Sequence, residues 1–227
     1  MRRPFAGLIT LSVVLLFVLA QACNRGQGSN STSDRGQEEP TFTDARSAAN
    51  QALVTFRKLV NAQNYKELGF ESADEVANAS LGAPISTAMV NLEQLKAYKA
   101  GDDPNRLLNN LDKVYYPVAV QNAVRSTITV EQLNGRWRAT GFGPANLAKQ
   151  IDSARKTGAA TANAQQLLVH VAPFNLYFVG NRVEGKLMLT PVADYSTYNL
   201  KAGSTLSADQ VFNVLVPFAQ QYNGLPL

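Results

Sequence analysis

From Thr41 onward the chain alternates between helical and strand-like hydrophobic periods. Ala49, Ala52, Leu53, Phe56, Leu59 and Val60 recur at three- and four-residue steps and give one apolar helical face. Thr41-Phe42-Thr43-Asp44 reads as the start of that helix, and it should end near Asn61 to Asn64. Ser72-Ala73-Asp74-Glu75-Val76 has the capping-box spacing and predicts a short helix that Gly82 and Pro84 must stop. The motif nearly recurs at Ser207-Ala208-Asp209-Gln210-Val211, but nothing beyond five residues aligns, so both read as helix starts rather than a duplication.

The middle of the chain has the period of strands. Val114–Val120 and Thr127–Leu133 alternate and are rich in branched and aromatic residues. Asn134-Gly135 then predicts a type I′ hairpin. With that turn, Gln132 faces Trp137, Val130 faces Ala139 and Ile128 faces Gly141 on a core side. Leu133 faces Arg136, Glu131 faces Arg138 and Thr129 faces Thr140 on a wet side carrying one cross-strand ion pair. Pro144 opens a helix with Leu147, Ala148, Ile151 and Ala154 inward, and Thr157–Ala164 reads as a loop. Leu167–Val179 and Lys186–Val192 are strands, the first broken or pushed to an edge by Pro173. The last helix starts at Ser207 and carries Val211, Phe212, Leu215, Val216, Ala219 and Tyr222, with Pro217 set to kink or end it. Helices and antiparallel strands mix without a βαβ rhythm. The expected fold class is α+β, an antiparallel curved sheet packed against helices, forming a single domain over residues 41–227.

What precedes that domain has a different character. Arg2 and Arg3 lead an apolar run from Ala6 to Ala20, which ends in Ala20-Gln21-Ala22-Cys23. A basic start, an apolar centre and small residues at the end have the form of a secretory signal. The strongly apolar part, Leu8 to Leu19, is twelve residues, against about 20 for a bilayer-spanning helix. The small residues before Cys23 make residues 1–23 similar to the signal and lipobox of bacterial lipoproteins. That resemblance implies cleavage of residues 1–22, diacylglycerol on the Cys23 sulfur and membrane attachment through the lipid. Ordinary cleavage after Ala22 and an uncleaved anchor are the alternatives. Asn24 after the cysteine, rather than Asp, resembles the outer-membrane sorting pattern of a two-membrane cell. "RRPF" partly matches the twin-arginine export motif, whereas the very apolar centre suits the general secretory route. Asn24 to Pro40 contains no aliphatic or aromatic residue, so residues 23–40 are expected to be a lipidated cysteine and a disordered tether.

Charge changes the picture little. The chain carries +4 with a pI near 9.2. Losing Arg2 and Arg3 with the signal leaves 19 basic against 17 acidic residues, which is no footprint for a polyanion, and no nucleic-acid partner is expected. With one His and one Cys, His/Cys zinc sites within the chain are ruled out, and neither a metal nor a cofactor is implied. The single histidine, His170, lies in an apolar strand and reads as a core residue. No GxSxG elbow, phosphate loop or dinucleotide fingerprint occurs. Asp102-Asp103 in "AGDDPNR" could join a calcium or glycosidase site, and it also has the composition of a turn. Tyr115, Tyr116, Tyr195 and Tyr198 lie near strand ends or in a loop and are the candidate binding surface. Together these features predict a lipid-anchored cell-envelope protein with a non-catalytic binding or accessory domain for an envelope protein, peptide or glycan. The alternatives are a secreted carboxylate-dependent hydrolase and a structural subunit of an envelope assembly.

Overall fold

Nine strands and four α-helices make up the described part of the chain, in a computed structural model that describes residues 41–158 and 166–224. The signal, Cys23, the tether and most of the 157–164 loop lie outside the described residues. The helices are α1 (Ala45–Leu59), α2 (Leu92–Ala97), α3 (Ala145–Thr157) and α4 (Ala208–Gln221). The strands are β1 (Ser80–Leu81), β2 (Ile85–Val90), β3 (Leu108–Val120), β4 (Ala123–Leu133), β5 (Arg136–Phe142), β6 (Leu167–Val171), β7 (Leu176–Val183), β8 (Lys186–Pro191) and β9 (Leu206–Ser207). They form one open sheet in the order β5-β4-β3-β2-β6-β7-β8-β9, with β1 on β3. Every pairing is antiparallel except β2 with β6. The fold is α+β, as the patterning predicts.

Helices cover both faces. On one face α1 packs over β3 and β4, burying Ala48, Ala49, Leu53 and Phe56 against Tyr116, Val118, Ile128 and Val130. Farther along the same face α4 and α2 pack over β6–β8, with Leu95, Val211, Phe212 and Leu215 against Val169, Phe178 and Leu189. On the opposite face α3 buries Ile151 and Ala154 against Ile85, Leu168 and Val179.

Several local expectations are corrected. Asp44, not Thr41, caps α1: its Oδ1 accepts the Ser47 N–H at 2.8 Å. Phe42 is instead extended, its N–H and C=O both bonded to Trp137. Leu59, expected on the inner face, is 47% exposed. The Ser72 box does not form, because Glu75 accepts the Glu71 N–H at 2.6 Å and pairs with Arg125; a 3-10 turn, Asp74–Asn78, replaces the helix. The Ser207 box does form, with Gln210.

The Asn134-Gly135 turn has positive φ at both residues (53° and 76°), as a type I′ turn requires. Register holds from Leu133–Arg136 to Val130–Ala139, then shifts at a bulge, so Thr129 faces Gly141 and Ile128 faces Phe142. The polar side of this hairpin is not uniformly wet. α3 crosses it, and Thr127 and Thr129 are buried. Glu131 does not pair with Arg138 but with Lys113 across on β3, at 2.7 Å. Pro173 breaks the 167–179 run at a 3-10 turn, Ala172–Phe174, making a β6–β7 hairpin. Helix α4 continues past Pro217, which lies on its exposed side, where the carbonyl it leaves unpaired can reach water.

Candidate functional site

The four candidate tyrosines are divided among the cores. Tyr116 is 3% exposed under α1, and Tyr198 is 7% exposed in the α4 cluster. Tyr115 and Tyr195 are half-buried and each borders the apolar cluster on the α3 side of the sheet, while the Tyr195 ring also packs on Phe178 of the α4 cluster. There the Tyr195 hydroxyl accepts the Tyr177 N–H at 2.9 Å and donates to the Tyr177 C=O at 3.1 Å, so it ties a loop to β7. Burial raises its pKa. Adjacent tyrosines on a strand point to opposite faces, which is why Tyr115 and Tyr116 separate.

His170 lies in the same region. Its ring stacks on Tyr177 with centroids 4.1 Å apart and 4° between planes. Burial, then the Lys113 charge, lowers its pKa, so the imidazole is neutral near pH 7. Its Nε2 is buried without a hydrogen-bond partner. Among the described residues no carboxylate orients the ring, the element a histidine base ordinarily needs.

Asp102 and Asp103 line a 190 Å³ cavity with Tyr98, Arg106 and Leu107. Both carboxylates close turns: Asp102 Oδ2 accepts the Lys99 N–H at 3.0 Å, and Asp103 Oδ1 accepts from the Asn105 backbone and amide. The Asn105 bonds hold the Asp103 pKa below the usual carboxylate range. Asp209 is held low in the same way by the Gly101 N–H and the Tyr98 hydroxyl. A larger cavity, 470 Å³, lies beside Gly69, Arg125, Ala145 and Lys149. Its wall contains Arg125, whose Nη2 is 2.7 Å from both Glu71 and Glu75, so its most buried charge is already neutralised. Among the described residues no group of three or more His, Cys, Asp or Glu could hold a metal, and no helix is long and apolar enough to cross a membrane.

The feature best shaped to receive a ligand is a 380 Å³ groove between α1 and the edge strand β5. Ala48, Gln51, Ala52 and Thr55 form the helical wall; Phe42 and the 138–142 segment of β5 form the other. The helical wall is shallow because two of its residues are alanines one turn apart. Phe142 stacks on Phe56 of α1 (centroids 4.7 Å) and closes the bottom. Among the described residues Arg138 is the only charged one on the lining. It is exposed and has no ion-pair partner among the described residues, since Glu131 is taken by Lys113.

β5 is also an open edge. Trp137 directs its N–H and C=O outward to Phe42. With a two-residue period Ala139, opposite Val130, directs its own pair outward too, and no partner meets them among the described residues. Sequence reading missed this groove. The signals were present separately: the hairpin turn that makes β5 terminal, and Ala48 and Ala52 on the flank of α1. Comparison with protein-family models, curated proteins and solved structures finds no match to this chain.

Proposed function

We propose that this is a lipid-anchored bacterial cell-envelope protein whose folded part is a non-catalytic binding or accessory domain, with the α1/β5 groove as its binding site. The anchoring half rests on the sequence: an apolar leader, Cys23 in lipobox position and a polar tether. With Asn24 after the cysteine, the outer membrane is the destination in a two-membrane cell. The binding half rests on one observation: an apolar groove beside a strand edge where, among the described residues, Ala139 has no backbone partner on its outer side and Arg138 has no ion-pair partner. Such sites supply burial, hydrogen bonds and orientation together.

Two measurements test the two halves. The intact mass and N-terminus of the mature protein from membranes, beside Cys23→Ala, should give a diacylglyceryl Cys23 that the variant lacks. An unmodified Cys23 or an uncut Met1 refutes the anchor. For the groove, a photo-crosslinking residue at Thr55 should yield an adduct in cells that one at Val214, exposed on α4, does not. Equal labelling at both sites, or none at Thr55, refutes the binding site.

A further inference from the structure

We propose that residues 41–44 form a releasable strap that closes one end of the α1/β5 groove, and that opening it lengthens the groove along β5 from Ala139 to Trp137. The proposal rests on the groove being the binding site. Three observations carry it.

The first is how little holds the strap. Phe42 meets β5 as an isolated bridge: its N–H donates to the Trp137 C=O at 2.8 Å, and its C=O accepts the Trp137 N–H at 2.7 Å. Thr41 and Thr43, on either side, are exposed and make no backbone hydrogen bond to β5 among the described residues. The Thr41 hydroxyl accepts one long bond, 3.3 Å, from the Arg136 guanidinium. Phe42 itself is half-buried. Segments with few ladder bonds and little buried apolar surface are the ones that open while the rest of a fold stays closed.

The second is that the strap ends where an independently held element begins. A bend at Thr43 and Asp44 leads into α1. Asp44 caps the first turn of that helix, and Ala48, Ala49, Leu53 and Phe56 hold its inner face on β3 and β4. Loss of the bridge breaks none of those contacts. The chain can hinge at Thr43 while α1 and β5 stay in place.

The third is what the bridge covers. Phe42 and Ala139 line the groove, whereas Trp137, next along the same face of β5, does not. The outward N–H and C=O of Trp137 are the two groups that Phe42 uses. Residues paired in this way set their side chains on one face of the sheet, and both rings border the cluster under α1. Release therefore frees the Phe42 position on the wall, the Trp137 edge and the Trp137 ring together. Closed, the strap is an autoinhibitory contact. A ligand that runs along β5 past Ala139 competes with it and shifts the strap toward the open form.

The test is native-state hydrogen exchange on the full chain in detergent, read beside the emission of Trp137, the single tryptophan. The Phe42 and Trp137 amides should exchange about a hundredfold faster than those of the central β3–β4 ladder, at a rate that low urea leaves unchanged. Phe42→Ala removes the half-buried ring. It should speed the Trp137 amide by about a further tenfold and move Trp137 emission to longer wavelength, while the α1 amides keep their protection. The photo-crosslinking residue at Thr55 should give a higher adduct yield in cells on the Phe42→Ala background. Exchange of the Trp137 amide only through global unfolding overturns the strap. So does a Phe42→Ala variant that loses protection in α1 and β5 together, or one whose Trp137 amide exchanges faster while the Thr55 adduct yield stays the same. If Thr55 yields no adduct on either background, the binding-site reading fails, and exchange and emission by themselves decide whether the strap opens.

Discussion

Gly69 offers a sharp test of how α1, β4 and α3 are held together. It ends the turn after α1, where its N–H donates to the Lys66 C=O at 3.0 Å and the next N–H, of Phe70, donates to Tyr65 at 2.9 Å. Its φ is +93°, a conformation that costs a residue with a side chain roughly 1–2 kcal/mol. Space is the second constraint. A Cβ at this position would lie 2.7 Å from the Ala145 Cβ, at the start of α3, and 3.0 Å from the Arg125 carbonyl carbon on β4, inside the van der Waals contact of that carbonyl group. Both obstacles are backbone or the first side-chain atom, so neither can rotate away, and relieving them means moving the Gly69 turn off β4 and α3. Overpacking of that kind costs about 1–3 kcal/mol. Gly69→Ala should therefore lose about 2–5 kcal/mol in all, a large share of the roughly 5–15 kcal/mol that holds a domain folded. In a domain of this size that lowers Tm by about 5–15 °C. The control is Gly135→Ala. Its φ of +76° is comparable, yet nothing lies within 4 Å of its Cβ, so it should lose only the conformational part, about 1 kcal/mol. Both are read by thermal and urea unfolding followed by circular dichroism. Equal losses in the two variants would show that the close approach of the Gly69 turn to β4 and α3 carries no energetic weight, and would refute this account.

Two other perturbations have distinct signatures. Arg125→Ala should cost about 2 kcal/mol in urea unfolding, because it strands Glu75, whose side chain is 13% exposed. Glu71→Gln should change stability by less than about 0.5 kcal/mol, since Glu71 is 76% exposed and a surface pair contributes little; comparable losses from the two would contradict the assignment. His170, the only histidine, has a folded pKa below its ordinary value of 6.5. Below that value the unfolded chain binds a proton that the folded one refuses, so stability is complete above pH 6.5 and falls as pH drops from there toward the folded pKa. His170→Phe keeps a ring against Tyr177 and should flatten Tm between pH 5 and 7; an unchanged slope would show that another group governs this range.

Elements with local signals were legible in the sequence. The Asn134-Gly135 turn, the Ser207 capping box and the apolar faces of α1, α3 and α4 appear where the spacing puts them, Leu59 excepted. What was illegible depends on distant partners. β2, "ISTAMV", carries no clean alternation because it is buried centrally on both faces, between β3 and β6. α2 is six residues long and depends on α4 for its burial. The bulge in β4–β5 moved two pairings, and Lys113, remote in sequence, took Glu131 from Arg138. Ser72 lost its helix because Glu75 had Arg125 available, fifty residues downstream. The groove was invisible for the same reason: α1 and β5 are separated by the whole β2–β4 region.

The placement of α2 has a consequence for the order of assembly. It lies between β2 and β3 in sequence, yet Leu95 and Tyr98 are buried among residues of α4, the last helix described. The Tyr98 hydroxyl bonds Asp209, 111 positions later, and the Gln220 amide donates to the Lys96 C=O across 124. A chain made from its N-terminus can pair α1 with β3, β4 and β5 early, but α2 stays uncovered until α4 has been synthesised. Closing so long a loop is slow. For that interval Leu92, Leu95 and Tyr98 have no cover from α4, and loss of α4 would leave this apolar surface permanently exposed to aggregation.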